Sequence, residues 1–229
     1  MDFIEFMEMN RNEQISITEE FVKTNLKDYD SGHDWWHIER VRNLAKFINE
    51  MEQLEDPFIM DITALLHDTA DSKFAGKNEG QGYQLIGDFM EKCGMSEIKD
   101  RVTDVIKKVS FSSKNNKEES ADPLLWVIQD ADRLDAIGAI GIARAFNYGG
   151  FRNNKIYNPA IINSAKNPGE VHDNGTSSTI SHFYEKLLLL KYRMNTMTAK
   201  KLAAERHEFL ELFLKQFYKE WEFGTAERL

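Results

Sequence analysis

Apolar residues in this chain recur at helical spacing, and no stretch alternates apolar with polar residues as a half-buried strand does. Ile15, Phe21, Val22 and Leu26 are the apolar positions of a first helix over 14–27. His33, His37, Val41, Leu44 and Ile48 fall on one face of a long second helix. Ser31 is expected to cap it, with Asp34 favouring its positive end. Asp56-Pro57 is a cap followed by a first-turn proline, and it opens a helix that ends at His67-Asp68. A polar, Gly-containing loop over 76–82 precedes helices over 82–93 and 96–110, and 112–122 is a polar connector. Asp122-Pro123 repeats the start signal and opens a helix expected to run to about Phe146. Residues 147–177 hold two of the 4 prolines and read as one long irregular segment: a lid over a substrate, a dimer contact or plain disorder. Two helices, near 179–195 and 198–222, end the chain, with Ala203, Leu210, Leu214, Phe217 and Trp221 on one face of the last. The expected fold is an all-α compact helical globule of about seven to nine helices with no significant sheet, built as a single domain over 1–229.

Composition narrows the setting. Hydrophobic residues make up 41% and charged residues 29%, as in soluble globular proteins. No apolar run approaches the roughly 20 residues of a membrane span. The acidic start, Met1 to Glu13, lacks the basic region of a secretory signal. The one cysteine, Cys93, forms no internal disulfide and offers no thiolate cluster for zinc. A cytoplasmic protein is expected. A net charge of −9 disfavours binding to a nucleic-acid polymer. A small phosphorylated substrate stays compatible, because a metal and a few local cations can neutralise phosphates.

Ala64-Leu65-Leu66-His67-Asp68 carries the first chemical signal: an apolar run that delivers an adjacent imidazole and carboxylate to a helix end. Both are good ligands for a first-row divalent metal. His37 lies in the middle of an apolar helix face and points inward. Asp132 lies in a strongly apolar helix, where a carboxylate is rare unless paired or metal-bound. The alternatives are a buried His bonded to a carbonyl, and an Asp paired with Arg133 or facing water. Taken together, two imidazoles and two carboxylates would leave an octahedral ion two positions for water and substrate. A borderline transition metal suits that donor set better than calcium, and a water bound there would become a nucleophile at neutral pH.

The order His…His-Asp…Asp resembles the HD superfamily of metal-dependent phosphohydrolases. Gly32-His33-Asp34-Trp35-Trp36-His37-Ile38-Glu39-Arg40-Val41 is similar to the first motif of that family. Leu65-Leu66-His67-Asp68-Thr69-Ala70-Asp71-Ser72-Lys73-Phe74 is similar to the second, and Asp130-Ala131-Asp132-Arg133-Leu134-Asp135-Ala136-Ile137-Gly138-Ala139 to the last. With Ser181-His182-Phe183-Tyr184-Glu185-Lys186-Leu187 the resemblance covers nearly the whole chain, and it is closest to the small bacterial HD proteins of the YpgQ type. It implies a helical fold and a metal held by His37, His67, Asp68 and Asp132. It also implies hydrolysis of (deoxy)nucleoside triphosphates to monophosphate and pyrophosphate. Manganese is the first choice of metal, ahead of nickel, cobalt, iron, magnesium and zinc. No histidine lies between Asp68 and Asp132, so one metal per site is expected. A homodimer is suggested only by the resemblance.

Further candidates lie nearby. Asp71, three residues after Asp68, is its neighbour if the helix continues one more turn; the resemblance implies that an acid at this offset orients or deprotonates the attacking water, the alternative being a hydrogen bond to a ligand His. Lys73 could meet a phosphate oxygen or stand on the surface. His33, one turn before His37, could contact phosphate or support a ligand. Lys186 could reach the pocket or pair with an acid. Asp135 could position a ligand, base or sugar, or make a helix-to-helix hydrogen bond. The rival functions are a nucleoside monophosphatase and a non-catalytic nucleotide-sensing HD domain.

Overall fold

The first helix starts where a capping box sets it. Asn10 Oδ1 accepts from the backbone N–H of Glu13, and the Glu13 carboxylate accepts from the N–H of Asn10, so α1 spans Arg11–Asn25. That start precedes the apolar face, and so lies upstream of the expected one. A computed structural model describes residues 9–26, 34–70, 79–109, 121–159 and 178–222. Helix α2 spans Trp35–Glu52, and its cap is Asp34, whose Oδ1 accepts from His37 N–H at 2.9 Å. This corrects the expectation that Ser31 caps it: the carboxylate already serves the first-turn N–H, so the helix begins after Asp34. Ser31 lies outside the described residues.

Both Asp-Pro signals act as read. Asp56 accepts from Phe58 N–H at 2.8 Å and opens α3, Pro57–Leu66. Asp122 accepts from Leu124 N–H at 3.0 Å and opens α6, Pro123–Asp135. Between them lie α4, Glu79–Lys92, and α5, Ser96–Val109. Helix α4 begins inside the expected 76–82 loop. Gly82 sits within it because a Cβ there would come 2.5 Å from the carbonyl oxygen of Ala70. A backbone approach that close overrides the low helix propensity of glycine.

The expected long helix from Pro123 to Phe146 is two helices. It stops at Asp135 and resumes as α7, Gly138–Phe151. Ile137, with φ −126° and ψ 168°, has left helical geometry, and Gly138, the first residue of α7, has φ +76°, a left-handed conformation that suits glycine. The same helix extends past 147, so the start of the expected irregular stretch is helical. Gly149 fits there because Thr179 Oγ1 lies 2.2 Å from where its Cβ would be. Residues 160–177, most of that stretch, lie outside the described residues. The expected helix over 179–195 is a short α8, Thr179–Glu185, followed by a 3-10 helix, Leu187–Arg193. Helix α9 spans Met197–Trp221 and buries Ala203, Leu210 and Leu214.

The fold is all-α, with nine α-helices among the described residues. The described residues show one isolated bridge, between Lys155 and Ser178, and no strand. No described helix is long and apolar enough to cross a membrane. The chain clusters into two compact units, one up to Ala131 and one from Asp132. In the first, α3 packs against α1, α2 and α5, and Ile59 to Leu66 are all buried. In the second, α7 and the 3-10 helix pack against α9.

One buried acid interrupts the apolar surface of α3. Asp61, 3% exposed, receives Arg42 Nε at 2.5 Å and Nη2 at 2.8 Å, with Lys46 Nζ at 3.1 Å. Arg42 also meets Glu19 of α1 at 3.1 Å. The bidentate bond to Asp61 holds the Arg42 guanidinium above its ordinary pKa. Removing one partner of such a pair leaves a desolvated charge. Arg42→Met is therefore expected to lower unfolding stability by about 3 kcal/mol, and Arg42→Met with Asp61→Leu to recover much of it. Urea denaturation of the two variants checks both outcomes.

Candidate metal centre

His67 closes α3 as its C-terminal residue in right-handed helical conformation, with φ −55° and ψ −34°. Its Nδ1 lies 2.8 Å from the carbonyl oxygen of Ala64. A carbonyl only accepts, so Nδ1 carries a proton, and in the neutral ring Nε2 presents a lone pair. That Nε2 is buried and has no hydrogen-bond partner. Ligand histidines commonly show this arrangement, one ring nitrogen donating to a carbonyl and the other aimed at an ion.

His37 is fully buried in the first turn of α2, at a position the Asp34 cap fixes. The His37 and His67 rings lie 5.3 Å apart at 67°. Asp68 stands between them: its Oδ2 is 3.4 Å from His37 Nε2 and its Oδ1 3.9 Å from His67 Nε2. Asp132, half-buried on the last turn of α6, completes a group. One donor atom each from His37, His67 and Asp132 lies within 4.8 Å of the other two. The buried lone pair on His67 and the mixed imidazole–carboxylate set both fit a divalent transition metal. Arg133, the expected alternative partner of Asp132, donates from Nη1 to the carbonyl oxygen of Arg193.

The HD domain family model matches residues 35–137, from the start of α2 to the end of α6, and so contains all four of these residues. YpgQ of Bacillus subtilis (strain 168) is 37% identical over 216 residues, covering 93% of this chain and 95% of that protein. The chain belongs to the HD-domain family. Solved structures of HD-type relatives agree. Bacillus subtilis YpgQ in complex with ADP superposes with a TM-score of 0.71 at 36% identity, covering 90% of this chain and 97% of that one. An HD-superfamily hydrolase from Bacillus thuringiensis gives 0.70 at 38% identity, with 93% and 99% coverage. A Lactobacillus plantarum protein gives 0.77 at 33% identity, with 94% and 99% coverage.

The other site candidates fall in three places. His33, Asp71 and Lys73 lie outside the described residues. Asp135 is 1% exposed, and Arg144 Nη1 of α7 meets its Oδ2 at 2.8 Å, the helix-to-helix contact that was its alternative reading. Lys186 caps the end of α8. His182, one turn before it, carries no functional signal of its own in the sequence. Burial, with the Lys186 ammonium adding to it, pushes the His182 pKa down to about 4. No motif reveals that shift, because it depends on packing.

His182 is thus held neutral in the fold, while an unfolded imidazole titrates near pH 6.5. Its folded pKa is the lower one, so its contribution to stability is full above about pH 6.5 and falls as pH drops toward 4. Between pH 7 and 4.5 the wild type is expected to lose more urea stability than His182→Gln. Paired denaturation curves at those pH values measure the difference.

Proposed function

We propose that this chain is a phosphohydrolase with one metal per site, acting on nucleoside triphosphates, deoxy forms included, to give monophosphate and pyrophosphate. The convergence of His37, His67 and Asp132 within 4.8 Å carries the reading. The complex of YpgQ with ADP supports a nucleotide ligand for that relative, and the proposal extends it to this chain. His37, His67, Asp68 and Asp132 would hold a divalent ion, manganese first, that serves as Lewis acid toward phosphate oxygen and lowers the pKa of the attacking water.

The remaining work belongs to the chain's own residues. Asp71 would accept the proton of the water as it attacks the α-phosphorus, and the bond from that phosphorus to the leaving pyrophosphate oxygen would break. Lys73 would stabilise charge developing on that oxygen. His33 and Lys186 would contact the phosphates, and Asp135 would steady the end of α6 beside the bound nucleotide. The Ala64 carbonyl accepts from His67 Nδ1–H, which leaves Nε2 as the ring atom that would meet the ion. The reading treats the whole chain as one functional domain in the cytoplasm, working alone or as a homodimer.

The test uses protein stripped of metal and reloaded singly with manganese, nickel, cobalt, magnesium or zinc. Nucleoside mono-, di- and triphosphates are then assayed for released phosphate and pyrophosphate. Pyrophosphate from triphosphates is expected, and His67→Ala or Asp132→Ala should each cost more than about a hundredfold. Phosphate from monophosphates alone would replace the reading with a nucleotidase. Stoichiometric metal without turnover would favour a nucleotide sensor. Metal analysis of the purified chain is expected to give one ion per chain, lost in His67→Ala.

A further inference from the structure

We infer that Arg206, on α9, is a positioning residue for Asp132: its guanidinium grips the end of α6 and fixes the turn that presents the Asp132 carboxylate. The inference rests on the reading of Asp132 as a metal donor. Three successive residues after Asp132 are each held by an arginine contact. Arg133 donates to the carbonyl oxygen of Arg193 in the 3-10 helix. Arg206 Nη1 donates to the carbonyl oxygen of Leu134 at 2.5 Å. Arg144 Nη1 of α7 meets Asp135 at 2.8 Å. Of these, Arg206 alone grips the α6 backbone, so it constrains the helix whatever the side-chain rotamers do.

Satisfying a helix end does not account for this contact. The Leu134 carbonyl already accepts from Ile137 N–H at 3.2 Å, and terminal carbonyls are readily served by water. Arg206 is instead a cation placed where burial disfavours its charge, with Asp135 opposing that effect. Its stem is also tightly seated. A Cβ on Gly138 would come 3.1 to 3.4 Å from Arg206 Cγ, Cβ and Cδ. The glycine that opens α7 therefore makes room for the arginine that clamps the end of α6. The Ala136 N–H closes the same turn onto the Asp132 carbonyl at 3.2 Å, so displacing Leu134 displaces Asp132.

The experiment titrates metal-free, full-length protein with Co²⁺, read by calorimetry and by visible absorption, well below each variant's melting temperature. Arg206→Met is expected to weaken Co²⁺ binding about tenfold and to shift the absorption bands. Arg206→Lys, which keeps a cationic donor, should recover most of the loss. In an Asp132→Asn background, Arg206→Met should add nothing. Lower melting temperature with unchanged Co²⁺ affinity and spectrum in Arg206→Met would overturn the positioning role while leaving Asp132 as a donor. Unchanged binding in Asp132→Asn would overturn the donor reading and the positioning role with it. If Arg206→Met does not fold, Arg206→Gln, which keeps part of the stem and removes the guanidinium, is read in its place against the same outcomes.

Discussion

Helix α3 is apolar on nearly every face, and hydrophobic packing alone leaves such a cylinder free to rotate or slide. The pair between Arg42 and Asp61 removes that freedom. Its two bonds at 2.5 and 2.8 Å lock one rotation and one height of α3 against α2. A slip of one turn, about 5.4 Å, would strand Asp61 as an unpaired charge among Ile59, Met60 and Ile62. His37 lies five residues before Arg42 and His67 six residues after Asp61. The approach of the two imidazoles is thus set by an ion pair that takes no part in the chemistry.

With that register fixed, the local bonds decide which atoms face inward. The Ala64 carbonyl chooses the tautomer of His67, and the Asp34 cap chooses where His37 falls in the first turn of α2. Asp68 then sits against both ring nitrogens.

Much of this is legible in the amino-acid sequence alone. The Asp-Pro starts, the apolar faces and the helical class follow from spacing and capping chemistry, and the motif pairs bring His37, His67 and Asp132 together. What escapes the sequence depends on tertiary contact. Gly82 and Gly149 look like breakers until Ala70 and Thr179 occupy the space a Cβ would need. The break after Asp135 rests on the extended backbone of Ile137 and the positive φ of Gly138, inside a largely apolar run that spacing alone reads as continuous helix. Leu187 to Leu190 read as the middle of a helix, and the chain tightens there because Lys186, with φ −137°, has already left helical geometry. Arg42 and Asp61 lie 19 residues apart on different helices, and nothing in either neighbourhood names the other.

Arg101 touches both Glu55, beside the cap of α3, and Asp122, the cap of α6. The two Asp-Pro helices therefore start from a shared anchor. Ten residues separate Pro57 from His67 and nine separate Pro123 from Asp132, a rise of about 15 and 13.5 Å at 1.5 Å per residue. Each donor thus stands a similar number of residues from the Asp-Pro start of its own helix. One inserted or deleted residue in either would turn its donor by about 100° and move it about 1.5 Å. Relatives that keep the site should therefore hold the lengths of these segments constant, with insertions and deletions confined to the connections outside them.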